Sequence, residues 1–176
     1  MIAFVACAVI AAPVQWTATE GQLNYNVVHK LHEVNGKSSK AQIIAMVDDD
    51  GMKVMARVAV NSFDSGNENR DAHVLEVTEA ATHPTVVVKG VAKGFTLPAA
   101  GALATADIPV EVEFHGKKQV VQAKLTVKAE SDKRMQASIS FETSLDAHGV
   151  ERPSLLFIKV NDALTISGTF TMEPKS

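Results

Sequence analysis

Four segments between Asp107 and Met172 alternate apolar and polar residues, and nothing else in the chain restricts its fold so tightly. Ile108, Val110, Val112 and Phe114 alternate with Pro109, Glu111, Glu113 and His115. Val121, Ala123, Leu125 and Val127 alternate with Gln122, Lys124 and Thr126. Met135, Ala137, Ile139 and Phe141 alternate with Gln136, Ser138, Ser140 and Glu142, and Leu164, Ile166, Gly168, Phe170 and Met172 with Thr165, Ser167, Thr169 and Thr171. Side chains on a strand point alternately to the two faces of a sheet, so each segment has one dry and one wet face. That is the pattern of an antiparallel sheet packed on one side.

The same parity recurs at Leu23, Tyr25 and Val27, at Val54, Ala56, Val58 and Val60, and at Val86, Val88 and Gly90, with Leu156, Ile158 and Val160 near the end. This predicts about eight strands, and a meander of that size hides its edges by closing on itself. Asn35-Gly36, Asp48 to Gly51, His115-Gly116, Ser131-Asp132 and Asn161-Asp162 read as the hairpin loops between them. The expected fold is therefore all-β, an eight-stranded antiparallel up-and-down barrel, with a sandwich as the second choice.

A chain of 176 residues with 46% hydrophobic content can build one sizeable core. Its 17 basic and 20 acidic residues are dispersed, leaving a net charge of −3 and no electrostatic footprint for nucleic acid. Pro98 to Ala106 is Ala-rich and reads as a loop. One tryptophan and one tyrosine cannot furnish the aromatic girdles of an outer-membrane barrel, so the chain is not expected to span a membrane.

Ile2 to Ala12 is a continuous apolar run, too short to cross a bilayer but of the length of a secretory signal core. Cleavage after Val9-Ile10-Ala11 would divide the chain into a signal segment, 1–11, and a barrel domain, 12–176, and would place the product in the periplasm or outside the cell. A first β-strand or a cloning remnant is the alternative. Cys7, the one cysteine, falls in this run, so the remaining chain has no disulfide framework.

Catalytic patterns are scarce. Gly36-Lys37-Ser38 resembles the end of a phosphate-binding loop, but Leu31 stands where that motif needs its first glycine. There is no Gly-x-Ser-x-Gly elbow. His29 and His32 fall on opposite faces of a continuous strand, and His73, His83, His115 and His148 sit near loops or strand ends with no cysteine partner. No catalytic residue, metal ligand or cofactor is assigned.

Glu68 to Val77 breaks the rhythm: it begins polar and runs into Val74, Leu75 and Val77, then Ala80 and Ala81, at helical spacing. His83-Pro84 is expected to end the helix and Thr85 to restart a strand. Arg70-Asp71-Ala72-His73, a short helix and then x-Pro opening a strand resemble the central signature of the YceI-like family of periplasmic polyisoprenoid-binding proteins. Val28 to Gly36, with its His-x-Leu-His, resembles the family's first strand, and Phe141 to Leu145 with Asp162 to Phe170 its closing hairpin. The resemblance runs from Leu23 to Glu173, although many members carry an aromatic pair where this chain has Thr78 to Ala81, and serine where it has Lys30.

The resemblance implies an extended, lipocalin-like barrel holding a long isoprenoid or similar amphiphile. Eight strands leave an interior that is either filled by side chains or able to hold one slender ligand. By parity the candidate lining is Val54, Ala56, Val58, Val60, Val86, Val88, Val110, Val112, Phe114, Leu125, Ile139, Phe141, Ile158, Ile166 and Phe170. Small residues dominate it, which favours a channel over a solid core. Arg70, Asp71 and His73 are the candidate polar group. Asp71 would cap the helix and Arg70 pair with a carboxylate, or the three would receive a ligand head group at the barrel mouth. The expected function is non-enzymatic carriage or sequestration of a long-chain lipid, isoprenoid or quinone-like. The alternative is a periplasmic stress or protein-interaction module with a solid core. The expected partner is the lipid, with a homodimer as the one further assembly allowed for.

Overall fold

A computed structural model describes residues 12–30, 32–155 and 158–175. The apolar run before Ala12, with its cleavage signature and Cys7, lies outside the described residues, as do Leu31 and Leu156. In order, the elements are β1 (Val14–His29), β2 (His32–Ser38), β3 (Gln42–Asp48), β4 (Gly51–Ala59), a 3-10 turn (Val60–Ser62), α1 (Glu68–Val77), β5 (Thr85–Lys93), β6 (Leu103–Phe114), β7 (Lys117–Ser131), β8 (Arg134–Ser144), β9 (Ser154–Leu155), β10 (Ile158–Lys159) and β11 (Ala163–Pro174).

The sheet closes into an eight-place antiparallel barrel because β1 is long enough to serve both edges. Along one side β1 pairs with β11 from Trp16↔Pro174 to Val27↔Leu164. Along the other it is shared: Val14 to Thr17 pair with β3, and Leu23 to His29 pair with β2. Thus β2 and β3 lie end to end in a single place. The break between them is made at Ser38, whose buried hydroxyl accepts the Lys40 N–H at 3.2 Å and meets the Ser62 hydroxyl at 2.7 Å.

This arrangement corrects several sequence expectations. The eighth place belongs to β2 and β3. Ser154–Leu155 and Ile158–Lys159 instead pair as a small separate sheet, β9 with β10, outside the barrel sheet. Asn35-Gly36 is not a loop but the middle of β2, where Gly36 faces Tyr25 across the ladder. A Cβ there would come within 2.3 Å of the Tyr25 ring, so glycine is required by close approach and not by a turn. Val28 to Gly36 is not one strand: the chain reverses between His29 and His32, which are cross-strand partners. Asn161-Asp162 joins β10 to β11, which do not pair.

The helix also differs at both ends. Its N-cap is Asn67, whose side chain accepts the Arg70 N–H at 3.0 Å, so Asp71 does not cap it. It stops at Val77, well before His83-Pro84, in a Schellman closure: Ala80 N–H bonds Leu75 O at 2.9 Å and Glu79 N–H bonds Glu76 O at 3.0 Å. Glu79 takes the left-handed position of that motif, φ 47°, where glycine is usual.

The antiparallel order puts Trp16, Met52, Ala92, Ile108, Val127, Met135 and Met172 together at one end of the barrel, all buried. These side chains plug it. The other end, where β4, β6 and β8 finish, is covered by α1, the 3-10 turn and residues of 145–154 together with Val160.

Candidate functional site

Above the plug the barrel contains a cavity of about 370 Å³, within the range of roughly 300–1,000 Å³ typical of small-molecule sites. Of the residues expected to line the interior, Ala56, Val58, Val60, Val86, Val88, Val112, Phe114, Ile139, Phe141, Ile166 and Phe170 form its wall. Val110 and Leu125 do not. They are buried a layer lower, in the plug, with Val54 packed beside them. Ile158, on β10 outside the barrel sheet, is also absent from the wall.

Sequence parity missed several contributors. Leu23, Tyr25, Val27 and His29 of β1 continue one inward register, and that alternation was readable as far as Val27. From α1 come Arg70, His73, Val74 and Val77. Their spacing places them on one stripe of the helix, which turns toward the barrel opening. Leu145, Val150, Pro153 and Val160 close the remaining side from a segment without regular structure for most of its length.

Polar groups in this wall are few and mostly engaged. His29 is buried, with Nε2 2.9 Å from the Ile158 carbonyl oxygen, so that nitrogen donates and holds β10 over the barrel. Arg152 fastens the same segment through Nε to Asp146 at 2.8 Å and Nη1 to Val160 O at 3.0 Å. Thr143 shares its hydroxyl with Gln119 at 2.8 Å and with Nε2 of His148 at 2.9 Å. His148 is wholly buried, and loss of solvation pushes its pKa below the usual histidine value, partly offset by the Lys117 and Phe114 carbonyls.

Arg70, Asp71 and His73 divide their roles. Arg70 and His73 border the cavity at its helix end. The Arg70 guanidinium donates to Ser65 Oγ at 2.9 Å and Ser65 O at 2.5 Å, which presents it at the mouth, and among the described residues it has no ion pair with a carboxylate of the kind expected. Asp71 is turned the other way, accepting the Ser65 N–H at 3.1 Å and the Ser65 hydroxyl. His73 is exposed, 3.4 Å from Glu76. Tyr25 lies beneath this loop against Phe63, ring centroids 5.4 Å apart. Its buried hydroxyl has no hydrogen-bond partner among the described residues, and burial, reinforced by the Asp71 carboxylate and opposed by Arg70, raises its pKa above the usual tyrosine value.

A closed eight-stranded barrel with an apolar interior cavity and a helix over its mouth defines a lipocalin-like binding architecture. Residues 15–172 match the YceI-like domain family, and the chain belongs to that family. Among solved structures it is similar to a polyisoprenoid binding domain from Saccharophagus degradans implicated in plant cell wall breakdown. The TM-score is 0.74 at 15% identity, over 91% of this chain and 98% of that one. It is also similar to Burkholderia cenocepacia BcnA, with TM-score 0.71 and 17% identity over 86% and 95%. A Campylobacter jejuni YceI protein follows, with TM-score 0.51 and 10% identity over 100% and 91%. At these identities the likeness speaks for the fold. No curated protein sequence matches the chain.

Proposed function

We propose that the cavity binds one long apolar chain, an isoprenoid or comparable lipid with a quinone-like or other polar head, and that the protein carries or sequesters it without chemical change. The observation that carries this reading is a wall built largely of valine, isoleucine, leucine and phenylalanine side chains, whose few basic members are His29, Arg57, Arg70 and His73. A carbon wall contributes about 0.8 kcal/mol per buried methylene, against an association cost of about 4 to 15 kcal/mol. A useful ligand must therefore bury about ten carbons or more, which favours long chains over small metabolites. Membership in a family whose Saccharophagus degradans relative is described as polyisoprenoid binding supports the same class of ligand. The apolar start of the chain supports a periplasmic or secreted location.

Native mass spectrometry of protein purified from its own host tests the proposal. The expected result is a single retained lipid per chain, and a fluorescent polyprenyl or long-acyl probe should saturate one site with little dependence on salt. Protein that carries no lipid and binds no such probe would return the chain to the scaffold class.

A further inference from the structure

Beside the cavity, three side chains with ligating atoms converge where the α1–β5 connection meets the β6–β7 turn. One such atom from each of Glu79, His83 and His115 lies within 4.8 Å of the other two. Glu79 Oε2 is 3.5 Å from His115 Nε2 and 4.0 Å from His83 Nε2, and the two imidazole rings meet edge to face with centroids 5.0 Å apart. The His83 ring rests on Gly116, where a Cβ would come within 2.8 Å of it.

The protonation pattern is the informative part. His115 Nδ1 lies 3.1 Å from the His148 carbonyl oxygen. A carbonyl only accepts, so in the neutral ring the proton sits on Nδ1 and Nε2 presents a lone pair. That Nε2 is buried and has no hydrogen-bond partner among the described residues. It faces a carboxylate oxygen, another pure acceptor, at 3.5 Å, beyond ordinary hydrogen-bond length. Two acceptors held toward each other are reconciled by a cation between them. Zinc, with ligand bonds of about 2.0–2.1 Å in tetrahedral array, sets neighbouring ligand atoms about 3.3 Å apart, so the carboxylate at 3.5 Å and 4.0 Å from the two imidazoles would draw in on an ion by a few tenths of an ångström.

The backbone points to the same place. Among the described residues, the non-glycine residues with positive φ are Glu79, at 47°, and His115, at 50°. Glu79 occupies a helix-closing position and His115 a two-residue hairpin position, where glycine or asparagine would be at ease. Two side chains with ligating atoms stand there instead.

We propose that Glu79, His83 and His115 form a binding site for a divalent transition metal ion of the zinc class, with solvent as the fourth ligand. Two imidazoles and one carboxylate suit such an ion, whereas magnesium and calcium prefer oxygen alone. The Nδ1 bond to the His148 carbonyl is the outer support that a ligating histidine needs. Because Thr78 and Phe114, the neighbours of two ligands, line the cavity, a bound ion would tie the helix connection to the barrel rim beside the mouth.

The test is calorimetric titration of tag-free, chelator-stripped protein with Zn2+, with Mg2+ as the comparison, on wild type, His83→Gln and Glu79→Gln. These two residues are chosen because His115 also holds His148, and circular dichroism melts establish that the variants fold. The expected result is saturation at one zinc per chain and none for magnesium. Each variant should weaken zinc by at least the roughly 10- to 100-fold seen when even an outer-shell partner is lost. Visible absorption bands of the Co2+ complex should disappear in both variants. Absence of a saturable zinc site, or zinc binding that both folded variants retain unchanged, overturns the proposal; the second result would place the ion elsewhere. Neither outcome depends on lipid binding.

Discussion

Val110 and Val112 share one face of β6, yet the structure gives them opposite tolerances for a larger side chain. Val110 is fully buried in the plug. Its cross-strand partner is Gly90, and a Cβ on Gly90 would meet Val110 Cγ1 at 2.9 Å, Val54 Cγ1 at 3.2 Å and Ile108 Cδ1 at 3.3 Å. The space is full. Val112, only 2% exposed and opposite Val88, borders the cavity instead. Phenylalanine at 110 must overpack a dense region, at about 1–3 kcal/mol. For a domain of this size each kcal/mol moves Tm by about 2–4 °C, so Val110→Phe should lower Tm by about 2–12 °C.

Val112→Phe places its ring in the cavity and should move Tm by less than about 2 °C. There the ring takes room that about three or four methylenes would otherwise fill, and at about 0.8 kcal/mol each their loss weakens binding by about 100-fold. Thermal melts of lipid-free protein and titration with a fluorescent polyprenyl probe read both quantities. Glu113→Gln, on the outward face, should change neither. A loss of Tm in Val112→Phe as large as in Val110→Phe would show the interior filled at both levels and refute the open cavity. Normal Tm with normal affinity in Val112→Phe would show that the lipid does not pass that point.

Further expected outcomes concern Tyr25, Gly36 and the start of the chain. Tyr25 is the one tyrosine in the chain, so phenolate absorbance reports it alone. It should ionise above pH 10.0, and its contribution to stability, complete below that pH, should be lost as pH rises through the elevated value. Tyr25→Phe removes a buried hydroxyl without a partner, an arrangement that costs about 1–3 kcal/mol, so it should leave Tm unchanged or raise it, and a clear fall would show that the hydroxyl is satisfied. Gly36→Ala drives a methyl into the Tyr25 ring and should destabilise by about 1–3 kcal/mol in chemical denaturation, whereas an unchanged midpoint would show that the ring can leave. N-terminal sequencing of protein recovered from its host should begin near Ala12; full-length cytoplasmic protein would remove the secretion reading.

The parts of the fold legible in the sequence are those in which two faces differ. β6, β7, β8 and β11 each expose one side to water, so alternation alone shows which of their residues face inward, and in β6, β8 and β11 most of the cavity wall they supply. β2, His32–Ser38, could not be read that way. Only Val34 along it is a large apolar residue, Gly36 serves the Tyr25 ring, and Lys37 forms an isolated bridge to Asp64. Ile158 and Val160 looked like part of a barrel strand because a covering segment also needs apolar side chains, and Val160 lines the cavity from one. Parity reports which face is dry, not which sheet the strand joins. The level along the barrel was equally hidden: Val110 and Val112 are alike in sequence, and only the glycine across the ladder and the closed far end make one of them plug and the other wall.

The cluster of Glu79, His83 and His115 was unreadable for a different reason. Two of its members are close in sequence, but a helix continuing to His83-Pro84 would have carried Glu79 and His83 as ordinary i, i+4 neighbours on a solvated face. The Schellman closure at Thr78 removes that helix and turns Glu79 inward toward the β6–β7 turn. His115, read as half of a hairpin loop, is indeed in that loop, but its ring is committed by the His148 carbonyl from a third segment. Each residue had a sufficient local role in turn formation or capping, and it is their unfavourable fit to those local roles, a glutamate and a histidine at positive φ, that marks the site. Local conflict of this kind becomes visible only once the backbone is known, and the relief of one such conflict is measurable. Glu79→Gly should remove the left-handed strain, raising metal-free stability by about 1 kcal/mol, while abolishing zinc binding. A variant that loses stability without metal would show that the glutamate was already compensated by its neighbours, and the strain would then carry no information about a ligand.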